Sequence, residues 1–144
     1  MKIFTIGFTQ KSAEEFFKLL QNAGVKRVID IRIHNNSQLA GYSKRDDLAF
    51  FLDKVAGIAY QEAHILNPSE ELFNSYRKKE IDWKKFLGDY KQEITKKHVE
   101  KELKKSDFDK AVLLCSEAEP NHCHRRIAAE YLSEAWGGEV EHLY

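Results

Sequence analysis

Cys115, Glu117, His122, Cys123, His124 and Arg125 crowd into one short segment, Leu114-Cys115-Ser116-Glu117-Ala118-Glu119-Pro120-Asn121-His122-Cys123-His124-Arg125-Arg126. A thiol is a nucleophile or a soft metal ligand, and a carboxylate activates water or steadies a developing cation. An imidazole moves protons near neutral pH, and a guanidinium holds an anion. A second charged group, Asp30-Ile31-Arg32, lies far upstream. Glu117, His124 and Asp30 are the catalytic candidates. Arg32, Arg125, Phe8, Gln38 and Tyr42 are the candidates for holding a substrate or anion.

The elements around these residues say where they sit. Val112-Leu113-Leu114-Cys115 is a continuous apolar run, the pattern of a buried parallel strand, and an amphipathic stretch through Trp136 follows. Strand, loop and helix N-terminus in that order form the ligand crevice of open α/β sheets, where unpaired N–H groups favour an anion. Upstream, Lys2 to Ile6 alternates as a strand. Ser12 with Glu15 forms a capping box, Phe16, Phe17, Leu19, Leu20 and Ala23 make a helical stripe, and Gly24 ends it. Arg27 to Ile33 reads as the second strand, so the first three elements are a βαβ unit. Helices are expected over Asp46 to Val55, from Pro68-Ser69 through Tyr76, over Asp82 to Lys104, and from Asn121 to Trp136. Ile58 to Tyr60 and Asp109 to Leu114 are the third and fourth strands, and Val140 to Leu143 a final edge strand. The fold class that follows is a small doubly wound, mostly parallel α/β sheet with helices on both faces, in a single domain.

Each candidate has a purely structural alternative. His124 serves equally as a hydrogen-bonded core histidine, and Glu117 as a cap for the last helix. Arg126 stands four residues before Glu130, the spacing of a surface ion pair. Asp30 and Arg32 project from the same face of their strand, where a mutual or helix-bridging ion pair would be needed to offset burial. Cys123 and His124 continue the apolar face of the last helix toward its N-terminus, with Arg125 and Arg126 flanking it.

Several sharper readings fail on spacing. A phosphatase loop needs an arginine six residues after its cysteine, and Asn121 stands there. Cys115, His122, Cys123 and His124 would have to converge on one ion from adjacent helical positions, so no metal is expected. Gly7 stands alone, and no glycine-rich phosphate loop exists. No cofactor is called for.

With 144 residues the chain is long enough for one well-buried core. Its 23 basic and 23 acidic residues cancel, which argues against wholesale electrostatic attachment to nucleic acid or an acidic membrane. No apolar run approaches a membrane span and the start lacks a signal peptide, so a cytoplasmic location is expected. In that reducing compartment Cys115 and Cys123 are expected as buried thiols rather than a disulfide.

The sequence resembles the family called domain of unknown function 488. The resemblance rests on Thr5-Ile6-Gly7-Phe8-Thr9, on Asp30-Ile31-Arg32, on Leu114-Cys115-Ser116-Glu117 and on Pro120-Asn121-His122-Cys123-His124-Arg125. Many members carry His or Tyr in place of Phe8, and a Leu-Gly-Gly where this chain has Ile65-Leu66-Asn67-Pro68. What the resemblance implies is hydrolysis of an N-glycosidic bond, releasing adenine methylated on its exocyclic amine from DNA. Nucleic acid or a nucleotide would then be the partner, with Phe8, Tyr42 or Trp83 stacking on an extruded base. Two rival readings stay open: a thiol- or phosphoester-directed enzyme using Cys123, and a nucleotide- or anion-binding module without turnover.

Overall fold

The alternating, β-rich start forms β1 (Lys2–Gly7), and Ser12 caps α1 (Ala13–Ala23) through the expected box with Glu15. Gly24 ends that helix in the left-handed region at φ 74, a conformation that favours glycine. Next come β2 (Arg27–Asp30), α2 (Arg45–Phe51) continuing into a π turn to Ala56, and β3 (Ala59–Glu62). Then follow α3 (Glu70–Arg77), α4 (Trp83–Lys96), α5 (Val99–Glu102), α6 (Lys105–Phe108), β4 (Ala111–Cys115), α7 (Arg125–Trp136) and β5 (Glu139–Leu143). These elements belong to a computed structural model that describes residues 1–34, 41–115 and 123–144.

The five strands form one sheet in the order β3-β2-β4-β1-β5, and every neighbouring pair runs parallel. The expected doubly wound α/β architecture is therefore present. β4 is central and buried along its whole length, which accounts for its unbroken apolar sequence. Its alternate residues feed two cores. Val112 and Leu114 meet Phe16, Leu20, Leu48 and Leu52 of α1, α2 and the π turn. Ala111 and Leu113 meet Phe86, Tyr90, Ala128 and Leu132 of α4 and α7 on the opposite face. The chain leaving β1 and β2 thus turns to one face, and the chain leaving β4 between them turns to the other. That divergence opens a crevice above the end of β4.

Several boundaries depart from the sequence expectation; β3 runs on to Glu62 and β4 begins only at Ala111. β2 ends at Asp30, not Ile33, because beyond it Arg32 turns its guanidinium back onto the Asp30 carboxylate. The single helix expected over Asp82 to Lys104 is broken at His98, whose φ of 51 reverses the chain. No glycine or proline marks that break. It lets Val99 reach full burial and brings the Glu100 carbonyl to the Trp136 indole N–H at 3.3 Å. The last helix begins at Arg125, so Cys123 and His124 precede it; Asn121, its expected start, lies outside the described residues.

Replacing Leu113 by Ala removes a fully buried side chain from the central strand. A loss of about 2–5 kcal/mol in unfolding free energy is expected, read from urea denaturation.

Candidate functional site

At the end of β2, Asp30 and Arg32 form a buried two-pronged ion pair. Arg32 Nε donates to Asp30 Oδ1 and Nη2 to Oδ2, each at 2.8 Å, and the Arg32 backbone N–H also donates to Oδ1 at 3.1 Å. Neither side chain is more than 2% exposed, so water satisfies almost nothing here. Protein groups take its place: Tyr60 Oη donates to Asp30 Oδ2 at 2.5 Å, and Arg32 Nη1 donates to the Ser43 carbonyl at 2.7 Å. Burial, with the Asp30 charge adding to it, holds the Tyr60 hydroxyl well above its ordinary range, so it remains a donor. Of the two ion pairs expected here, mutual or helix-bridging, the structure shows the mutual one.

Phe8 and Tyr42 belong to the same side of the sheet. The Arg32 guanidinium carbon lies 5.3 Å from the Phe8 ring centroid. The Tyr42 ring packs 5.3 Å from that of Phe16, and its hydroxyl donates to the carbonyls of Phe8 and Lys11. Burial, then the nearby Glu15 charge, pushes the Tyr42 hydroxyl up to about 12. Both rings therefore brace the loops after β1 and β2 and neither lines the cavity described next.

On the opposite face, above the end of β4, lies a cavity of about 180 Å³. Its walls are Phe73 and Tyr76 from α3 with Trp83 and Phe86 from α4. Arg32, Ile33 and His34 close it from the β2 side, and Cys115, Cys123 and His124 from the β4 side. The rings are mutually ordered. Trp83 stacks on Phe86 with centroids 5.2 Å apart and planes at 15°, and Tyr76 contacts both. Phe73, Tyr76 and Phe86 escape sequence reasoning because their spacing is that of an ordinary amphipathic helix stripe. Only the docking of α3 and α4 across the strand ends turns that stripe into a cavity wall.

Cys115 and Cys123 are joined as a disulfide, which corrects the expectation of two free thiols. Strand end and helix start lie close enough, with Cα atoms 6.8 Å apart, to bring the sulfurs together. Beside them, His124 is 8% exposed. One of its ring nitrogens, Nε2, lies 2.9 Å from the Ile31 carbonyl, an acceptor only, so Nε2 carries the proton. Nδ1 then keeps its lone pair and faces the sulfurs, 3.6 Å from Cys115 Sγ and 4.0 Å from Cys123 Sγ. Burial lowers the His124 pKa to about 4, opposed by the Ile31 hydrogen bond and reinforced by the Arg125 charge.

Arg125 corrects a second expectation. It does not flank the buried face but is fully buried at the first position of α7, one turn before Ala128 and Ala129. Arg126 is exposed and pairs with Glu130 at 2.9 Å, as its spacing foretold. Glu117 and Gln38 lie outside the described residues. Of the other candidates, His124 and Arg32 meet in the cavity, Trp83 joins them, and Asp30 reaches the cavity only through Arg32. Cys123 and His124 precede the helix, so adjacency does not keep their ligand atoms apart.

A family model described as "Domain of unknown function DUF488" matches residues 12–132. The chain belongs to that family. No curated protein and no solved structure matches it. Among the described residues, no helix is long and apolar enough to cross a membrane.

Two predictions follow from this geometry. Asp30→Asn leaves Arg32 charged, buried and without its anion, and a loss of about 3–5 kcal/mol is expected in chemical denaturation. His124 is expected to stay neutral from pH 8 down past pH 5 in imidazole NMR spectra. Unfolded chain takes up the proton near 6.5 and folded chain only near 4, so folding stability falls as the pH drops through that window. The loss should be on the order of 3 kcal/mol, and it should be complete below the lower value.

Proposed function

We propose that the cavity receives a single planar base and that the protein hydrolyses the N-glycosidic bond of a modified base, adenine methylated on its exocyclic amine, in DNA. The observation that carries this reading is the wall of four aromatic rings, Phe73, Tyr76, Trp83 and Phe86, in a cavity of about 180 Å³ that Arg32 and His124 also line. That volume lies below the several hundred Å³ of sites for larger ligands and suits one small ring system. Aromatic walls accept any base by stacking, at about 1–3 kcal/mol each. A base held here must leave the duplex stack, which is least costly where pairing is already weakened by modification.

In the reaction, water adds to the sugar C1′ as the bond to the base nitrogen breaks, and the base departs with a proton. A carboxylate must take a proton from that water or stabilise the oxocarbenium-like transition state. Asp30 is committed to Arg32 and Tyr60, so it serves by positioning Arg32. Glu117, outside the described residues, is the carboxylate proposed for the chemistry. Arg32, its charge paired with Asp30, forms a fixed part of the cavity edge. His124, uncharged at neutral pH, closes the floor without repelling a departing protonated base. The balanced net charge predicts that duplex binding is weak, so recognition rests on the extruded base more than on the phosphates.

Incubation with methylated and unmethylated duplexes, followed by mass spectrometry of released base, tests the proposal. Free methylated adenine is expected from the wild type and none from Glu117→Gln. Trp83→Ala should lower the rate by about 5- to 150-fold through lost stacking. Nucleotide binding without release of any base would replace this reading with a binding module.

A further inference from the structure

We propose that the reduced protein binds a thiophilic divalent cation of the zinc type through Cys115 Sγ, Cys123 Sγ and His124 Nδ1. This inference is independent of the base-removal reading and stands on three observations.

The first is distance. The three ligand atoms all lie within 4.8 Å of one another. A tetrahedral zinc ion with ordinary bond lengths sets nitrogen and sulfur about 3.6 Å apart and its two sulfurs about 3.8 Å apart. Nδ1 already stands 3.6 and 4.0 Å from the two sulfurs. Once the disulfide is cleaved, only the sulfurs need to separate. With Cα atoms 6.8 Å apart, side-chain rotation is enough for that.

The second is the orientation of the imidazole. Metal-bound histidines commonly donate their other ring N–H to a carbonyl or carboxylate, which fixes the tautomer and aims the lone pair. His124 does this: Nε2–H is held by the Ile31 carbonyl at 2.9 Å while Nδ1 faces the sulfurs. Tyr90, edge-on with ring centroids 5.2 Å apart, holds the plane from the other side.

The third is charge. Two thiolates and a neutral imidazole around a divalent cation form a centre of zero net charge, which suits the buried place these residues occupy. All three residues line the aromatic cavity, so a fourth coordination position can open toward it. Three protein ligands and one open position are the arrangement of catalytic rather than structural zinc.

Loading balances as follows. A dithiol reductant gives up two electrons and two protons to the Cys115–Cys123 bond, leaving two thiols and the oxidised, cyclic reductant. The cation then displaces both thiol protons to solvent and binds the two thiolates and Nδ1.

The test uses the whole protein, reduced with dithiothreitol, freed of it under anaerobic gel filtration and titrated with Co²⁺ as the probe. Reduced wild type should take up one Co²⁺ per chain, with a thiolate-to-cobalt charge-transfer band that Zn²⁺ abolishes. Oxidised wild type should take up none. Loss of an outer hydrogen-bond partner alone weakens metal sites about 10- to 100-fold, so Cys115→Ser and His124→Asn should weaken binding at least tenfold. Far-ultraviolet circular dichroism follows the fold throughout. A reduced chain that loses its spectrum and regains it on adding Zn²⁺ also supports the site. Reduced wild type binding no more Co²⁺ than the oxidised form overturns it, as does a reduced chain that unfolds and stays unfolded with Zn²⁺. Wild-type affinity in both variants would overturn it as well.

Discussion

A carboxylate and a guanidinium withdrawn from water each lose several kcal/mol of solvation, and their attraction compensates only when the geometry is good and every remaining polar group finds a partner. Asp30 and Arg32 meet both conditions. Two parallel hydrogen bonds join them, Tyr60 completes the carboxylate, and the Ser43 carbonyl takes a further guanidinium proton. Those partners come from the end of β2, from β3 and from the turn at Gly41–Ser43, so one ion pair fixes the mutual position of three chain segments. Phe8, packed under the guanidinium, adds the loop after β1.

The consequences reach across the sheet. With Arg32 held by Asp30 and the Ser43 carbonyl, Ile33 and His34 follow it to the cavity that all three residues line. Ile31, between the paired residues, points into the opposite core and presents its carbonyl to His124. The polar knot on one face and the apolar cavity on the other are thus set by the same residues of β2 and its exit. The knot contributes rigidity, and the cavity offers rings and open volume.

β4 supplies the counterpart. Its full burial leaves no freedom in where Cys115 emerges, and α7 is anchored by Ala128, Ala129 and Leu132 against the same core. Cys123 and His124 therefore arrive beside Cys115 at positions fixed by the packing of a strand and a helix. That is the kind of support a site needs if its groups are to keep their relative geometry through a chemical change.

The sequence by itself determined the fold class and much of the local structure. Period-two and continuous apolar runs identified the strands, the Ser12–Glu15 box and Gly24 bounded α1, and the two-residue spacing of Asp30 and Arg32 placed them on one face. These features depend on neighbours along the chain, which is why they are legible there. Tertiary structure decided the rest. The break at His98 carries no glycine or proline and arises because burying Val99 outweighs continuing the helix. Arg125 looks like any charged residue at a helix start until the packing of α7 buries it. The wall of Phe73, Tyr76, Trp83 and Phe86, the pairing of Cys115 with Cys123, and the lone pair of His124 aimed at their sulfurs all depend on how separate elements pack together. Periodicity reports which face of an element is apolar. Only the docking of elements decides whether that face fills a core or lines a cavity.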